Sequence, residues 1–340
     1  MTLGTRFARL AAIAATGLIA GQHAGLAQTP APASGPDKTA IWTLQDENAS
    51  ISTASLTDRY YVNGLRLGYT SGEGEEPDFL SGAASALWDG GAVRFSFDLS
   101  QQIYTPNDTA AYTPPPGDRP YAGVLLGTFG LTRDVPDSRS FVGLSLGVIG
   151  PGALAQTVQN GFHHIIGQNA TNGWGDQIHN EPLLELTSAR TWRLSTGEVF
   201  GMETDALPNL AVGLGNERVY AQTGVLFRIG QGLDSDYGPA RIAPGPSGWD
   251  AFKPTRPFGW YVFAGGDGQG VAHDITLNGN TFRSSASVAP RALVGEMEVG
   301  LGLIAFGTRL TYTQVFQTQE FQHQKGGLHQ FGSLALSVRF

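Results

Sequence analysis

Apolar and polar residues alternate with a period of two over long stretches of the chain. Val93, Phe95, Phe97 and Leu99 interleave with Arg94, Ser96, Asp98 and Ser100. Val142, Leu144, Leu146 and Val148 interleave with Gly143, Ser145 and Gly147, and Met297, Val299, Leu301 and Leu303 with Glu296, Glu298, Gly300 and Gly302. Successive side chains of a strand point to opposite faces, so one face of each segment suits hydrocarbon while the other tolerates charge. The segments are long enough for tilted membrane strands of ~9–11 residues, whereas sandwich strands usually run ~5–6 residues. Candidate strands fall near residues 40–48, 59–70, 91–103, 119–132, 139–149, 181–193, 207–216, 218–229, 257–266, 292–303, 306–317 and 329–340. The pattern therefore predicts an all-β, twelve-stranded antiparallel transmembrane β-barrel, an even count as such barrels prefer. Closure pairs every backbone group and leaves no edge. In the last strand Leu334, Leu336, Val338 and Phe340 share a face. Residues 269–278 alternate weakly and read as loop.

One connection breaks the alternation. Between Gly150 and Asn180, Pro151 suits a first helical turn and Gly167 a C-terminal stop. Leu154, Val158, Phe162 and Ile166 recur every four residues as an apolar stripe. Gln156, Gln159 and His163 fall on another face at helical spacing. His163 is the leading candidate for chemistry, because an imidazole titrating near neutrality can take a proton from water. His164 points elsewhere on the helix, and His179, His273, His323 and His329 carry no recognisable constellation. No HExxH pair, GxSxG elbow or phosphate-binding glycine loop is present.

Composition narrows the classes further. The chain of 340 residues has no cysteine, which excludes a thiolate nucleophile and Cys-ligated metal. Its formal net charge is −8, with no Lys/Arg run, which argues against a nucleic-acid partner. Arg6 and Arg9, the apolar stretch Leu10 to Ala20 and small residues to Ala27 have the layout of an export signal, read as residues 1–27. Residues 28–39 read as a disordered leader and 40–340 as the barrel. No later apolar run reaches the ~18 residues of a membrane helix.

Several motifs, taken in order, resemble the outer-membrane lipid A 3′-O-deacylase (LpxR) family. They are Glu47-Asn48; Thr57-Asp58-Arg59-Tyr60-Tyr61-Val62-Asn63-Gly64; Ile103-Tyr104-Thr105-Pro106; Asp118-Arg119-Pro120-Tyr121-Ala122-Gly123; Gly147-Val148-Ile149-Gly150-Pro151; and the run Gln159 to Gly167, followed by Gly173-Trp174 and Leu277-Asn278-Gly279-Asn280. The resemblance implies an outer-membrane barrel with a short helix in an extracellular loop, and an active site between that helix and the wall. It also implies calcium-dependent hydrolysis of the ester that holds the 3′-acyloxyacyl group on lipid A. By carry-over His163 is the general base, Gln159 sits beside it and Asn48 belongs to the facing strand, with lipid A or lipopolysaccharide as the partner. A hard cation would polarise the ester carbonyl.

The sequence departs from the family pattern at three places. Ala49 stands where Asp usually follows the Asn, Val62 where a Thr is expected, and Asn169 at the position of an acidic residue six beyond the His. Strand parity groups Val62 with Gly64, Arg66 and Gly68, which turns it into the barrel. Asp46, Glu47, Asp58 and Asp176 are candidate replacements for the missing oxygen donors. The Asp58-Arg59 and Asp118-Arg119 steps read as structural ion pairs or turn pins. Tyr60, Tyr61, Tyr104, Tyr112 and Tyr121 read as girdle residues. Three functions compete: the deacylase, a non-enzymatic lipopolysaccharide-binding or structural barrel, and a passive pore, the last disfavoured by the small strand count.

Overall fold

The computed structural model describes residues 35–52, 59–242 and 249–340; the stretch read as an export signal, most of the leader, and Asp58 lie outside these. The strands are β1 (Ile41–Asn48), β2 (Tyr60–Thr70), β3 (Ala92–Thr105), β4 (Ala122–Val135), β5 (Ser138–Ile149), β6 (Glu181–Trp192), β7 (Leu194–Val199), β8 (Met202–Gly215), β9 (Arg218–Gln231), β10 (Phe258–Asp274), β11 (Leu293–Ala305), β12 (Thr308–Gln317) and β13 (His329–Arg339). Each pairs antiparallel with its sequence neighbour, β1 pairs with β13, and β6 pairs with β8. The thirteen segments make a closed barrel of twelve staves, because β6 and β7 are two halves of one stave broken at Arg193. The upper half of β8 pairs with β6 and its lower half with β7. An even number of staves brings both ends of the wall to one rim, where Ile41 faces Arg339 across the closing ladder.

Each predicted strand has a counterpart, and the differences lie at the ends. β10 continues through the segment read as loop, as far as Asp274. A helix α1 (Asp78–Leu87), which the period-two reading did not anticipate, fills the connection between β2 and β3. The predicted loop helix is α2 (Ala155–Ile165), preceded by a 3₁₀ turn at Pro151–Ala153, and a short α3 (Ile275–Asn278) follows β10. Residues 35–39, the described end of the leader, are held at the rim: Asp37 accepts hydrogen bonds from Arg94 at 3.0 Å and Arg339 at 2.7 Å.

The two faces of the wall are told apart by what spans between strands. Arg241, on the connection between β9 and β10, reaches Glu47 on β1 and Glu298 on β11, which are not neighbours in the sheet. Both must point to the enclosed side. Ladder partners share a face, so Thr43, Gln45, Arg66, Asp98, Gln102, Thr128 and Ser145 are lumenal. Trp42, Leu44, Leu65, Leu67, Phe97, Leu99, Phe129, Leu144, Leu146, Leu334, Leu336 and Val338 are outward and exposed. The outer surface is what a bilayer requires, and the polar lumen is satisfied internally, as where Thr128 and Ser145 hydrogen-bond at 2.8 Å.

The face assignment is open to test at two adjacent residues. Leu144→Arg puts a charge on the outer face near mid-strand and is expected to destabilise the folded barrel in lipid by about 2–4 kcal/mol. Ser145→Ala, on the lumenal face, removes one hydrogen bond and costs about 1 kcal/mol. Urea unfolding in vesicles, followed by tryptophan fluorescence, measures both; a larger loss for Ser145→Ala would reverse the faces.

Candidate active site

Helix α2 lies against the outside of the wall, and small residues make that possible. Gly123 on β4 is the ladder partner of Ile103, on the outward face. A Cβ at Gly123 would collide with the methyl of Ala155, so glycine is what lets the helix approach. Gln101, on the same outward face of β3, donates from Nε2 to the carbonyl of Ala153 at 2.5 Å. Gly150, at φ 101°, turns the chain out of β5 and donates to the carbonyl of Gly123 at 2.8 Å. The helix ends as expected. Gly167 has φ 73°, Gln168 N–H returns to the His163 carbonyl and Gly167 N–H to that of His164, a Schellman arrangement.

The helix is amphipathic in the opposite sense to a helix packed on a soluble core. Ala155, Gln159 and His163 are its buried residues, while Leu154, Phe162, Ile165 and Ile166 are exposed. Only Val158 of the predicted stripe packs inward, onto a cluster of Val62, Ile103, Tyr121, Ala155 and Trp174. Because α2 sits on the lipid side of the wall, its apolar side continues the outer apolar surface and its polar side faces protein.

A returning segment fixes those polar side chains. Gln159 Oε1 accepts from Thr171 Oγ1 and Trp174 Nε1, both at 3.1 Å, and Trp174 Nε1 also lies 2.8 Å from Thr171 Oγ1. Asn160 and Thr171 exchange hydrogen bonds between side chain and backbone in both directions. His163 is 7 % exposed, and its Nδ1 lies 2.7 Å from the carbonyl oxygen of Asn169. A carbonyl only accepts, so Nδ1 carries the proton and Nε2 is left with its lone pair. The Asn169 side chain is not needed for this; its backbone orients the ring. Thr171 escaped the sequence reading because nothing in its local pattern separates it from a loop hydroxyl. Trp174 was visible only within the Gly173-Trp174 motif.

The wall's contribution comes from the ends of β1 and β2. Asp46 and Asn48 are on the outward face of β1, and Asn63 faces them from β2, donating to Asp46 Oδ1 at 2.9 Å. Asn48 Oδ1 accepts from the Ser50 amide at 2.7 Å and the Ser50 hydroxyl at 2.5 Å. Val62 corrects the parity argument. The ladder to β3 slips between Tyr61 and Asn63, so a bulge inserts Val62 as an extra residue. Tyr61 then points into the lumen, where its hydroxyl donates to Glu47 at 2.8 Å, and Val62 points outward onto Ala155 and Trp174. The structure thus sets Asn48 and Val62 on the same outer patch of wall that α2 covers with Gln159 and His163.

Other expected roles resolve differently. Tyr60, Tyr61 and Tyr121 are buried and Tyr104 packs on two of the core clusters, so of the five tyrosines only Tyr112 is exposed. They could not be told from girdle residues by alternation, because burial here comes from loops folding over the rim. Arg119 is fully buried and pairs with Glu320 at 2.9 Å, while Asp118 accepts from two backbone amides. That step is structural, as expected. Asn280 clamps two loops by bonding the backbone of His179 in both directions.

The donors do not make a site for calcium. Ala49 and Val62 bring no side-chain oxygen, and the oxygens of Asn48 and Gln159 are already accepting protein hydrogen bonds. Glu47, considered as a replacement, lies on the lumenal side, paired with Arg241. Asp176 lines a separate cleft with Asp118 and His179. Among the described residues no three acidic or histidine side chains converge as metal ligands, whereas calcium takes about 6–8 oxygens.

Comparison with known proteins places this geometry. The solved structure of LpxR from Salmonella typhimurium superposes with a TM-score of 0.72 at 22 % identity, covering 88 % of this chain and 100 % of that one. The β domain of the Bordetella autotransporter BrkA aligns at 10 % identity over 90 % of this chain and 99 % of its own, with a TM-score of 0.39. No curated protein matches the chain. The family model described as outer membrane protein LpxR matches residues 11–340, and the chain belongs to that family.

Proposed function

We propose that this outer-membrane barrel is an ester hydrolase that removes the 3′-acyloxyacyl group of lipid A, with His163 as general base. The observation that supports it best is a buried imidazole whose Nδ1–H is held by the Asn169 carbonyl on a helix applied to the lipid-facing side of the wall. A substrate lying in the leaflet reaches such a crevice sideways, without entering the lumen. Its acyl chains meet the exposed Phe162, Ile165 and Ile166.

In this reading Nε2 of His163 takes a proton from water as the oxygen attacks the ester carbonyl carbon. The tetrahedral intermediate collapses by breaking the bond to the sugar oxygen, and the imidazolium returns the proton to that oxygen. The products are the free fatty acid and the sugar alcohol. Gln159, locked by Thr171 and Trp174, holds the helix face in register beside the base. No step is routed through calcium, because the donor set does not fit it.

A specific observation favours a second reading, a lipopolysaccharide-binding barrel without turnover. Val62 is integral to the apolar cluster beneath α2, so the family's expected hydroxyl is replaced by packing.

Incubation of detergent-solubilised protein with lipid A, read by mass spectrometry, separates the two. The hydrolase reading expects loss of the mass of one acyloxyacyl group, a fall of about 10²–10⁴-fold in rate for His163→Ala, and turnover that persists in excess chelator. Lipid A bound but returned intact by the wild-type protein would leave the binding reading. Asn169→Ala is expected to keep the rate within about threefold, since the ring is held by a backbone carbonyl. A loss comparable to that of His163→Ala would show that the side chain takes part.

A further inference from the structure

The connection between β9 and β10, residues 232–257, turns back into the lumen from the rim that carries the chain ends, and its described residues are fastened there by three charged nodes. Asp236 accepts from Arg228 at 2.6 Å, from the Tyr261 hydroxyl at 2.8 Å and from Arg309 at 3.2 Å. Arg241 donates to Glu47 and Glu298, each at 3.0 Å, and its Nη2 lies 3.6 Å from Glu296. Asp250 pairs with Arg66 and stands 3.5 Å from Arg309. Beside the last node Trp249 stacks on Phe141 of β5, ring centroids 3.8 Å apart. The partners come from β1, β2, β5, β9, β10, β11 and β12, so the segment is tied to most of the wall's circumference.

Beyond this segment the lumen is not filled. A cavity of about 140 Å³ runs from Arg241, Ile242 and Trp249 toward Glu217 and Arg218. On its wall Asn209 and Gln222 are 6 % and 1 % exposed, and neither the amide nitrogen nor the amide oxygen of either has a protein partner. Each buried polar atom left dry costs about 1–3 kcal/mol. A polar space this large admits several waters at ~10–15 Å³ each, so the chamber is built for water or small hydrated ions. At its base one guanidinium faces three carboxylates, Glu47, Glu296 and Glu298.

We propose that the barrel is a latched pore. The segment 232–257 is a charge-held plug in a hydrated lumen, Arg241 is its main pin, and release of the plug leaves a carboxylate-lined path that passes small cations. The wild-type protein is closed, in keeping with a barrel this narrow. The proposal is independent of His163, which lies on the other side of the wall.

Planar-bilayer recording of the full-length barrel in a potassium chloride gradient tests it. The wild-type protein is expected to stay at the lipid leak. Arg241→Gln, verified as folded by its heat-dependent gel mobility, is expected to conduct at least tenfold above leak, with a reversal potential displaced toward that of potassium. Because the chain has no cysteine, Ser333→Cys, beside Gln45 on the lumenal wall, gives a second readout. A water-soluble thiol reagent should label it at least tenfold faster when Arg241→Gln is added. A folded Arg241→Gln barrel that stays silent and unlabelled overturns the proposal, as does a wild-type barrel that already conducts. If Arg241→Gln does not fold, Asp250→Asn decides, since it loosens the neighbouring node while leaving Arg241 paired: conductance supports the latch and silence overturns it.

Discussion

A bilayer offers no hydrogen bonds, so every backbone N–H and C=O in the wall must find a partner within the wall. The pairing of β1 with β13 and of β6 with β8 meets that demand by leaving no edge within the membrane-spanning ring. Closure then creates two separate environments from one alternating sequence. The outward positions are sorted by lipid and the inward ones by each other, because the lumen is too narrow for bulk water to solvate so many charges. Buried guanidinium–carboxylate nodes follow from this confinement. Breaking such a pair by removing one partner costs about 3–5 kcal/mol, which is why the inserted segment can be held by a handful of side chains.

The same sorting accounts for the orientation of α2. A helix on a soluble domain hides its apolar stripe, whereas this one shows Leu154, Phe162, Ile165 and Ile166 and hides Gln159 and His163. It rests on the lipid side, where the roles of core and solvent are exchanged. Polar side chains can face the wall only if they are satisfied there, and the returning segment 169–174 supplies the partners. Glycine at 123 sets how near the helix comes. The crevice is thus a place where an imidazole is kept out of hydrocarbon yet lies within reach of a molecule that never leaves it.

Alternation alone located the staves, because a period of two survives wherever one face meets lipid and the other the lumen. It failed where the ladder slips. A single inserted residue at Val62 reverses which face follows, and nothing in Tyr61-Val62-Asn63 announces a bulge. The broken stave at Arg193 and the helix α1 were missed for a related reason: both lie at a rim, where lipid no longer imposes the pattern. His163 and Gln159 were legible from helical spacing and motif order, and so was the small-residue seat. The tyrosines were not, since their burial depends on loops from distant parts of the chain, such as the return of Lys325 onto the Tyr60 hydroxyl. The lumenal segment between β9 and β10 has no periodicity of its own, and its anchors are single charged residues whose partners lie on remote strands.

Seen this way, the three departures from the family pattern are not equivalent. Asn169 keeps its contact with the histidine because that contact is made by the backbone, which any residue supplies, so the substitution is silent for ring orientation. Val62 converts a polar position into part of an apolar cluster that seats the helix, exchanging a donor for packing. Ala49 is buried, and its amide donates to the Val62 carbonyl, which ties the two changed positions together at the mouth of the crevice. Two coupled losses of oxygen on the wall, set against an intact histidine on the helix, divide the site into a half that has lost ligands and a half that has kept its base. A base needs only one lone pair and one anchor to remain competent, whereas a hard-cation site needs many oxygens at once and fails as a unit. Proton transfer is therefore the part of the chemistry that this chain's own residues still hold in place.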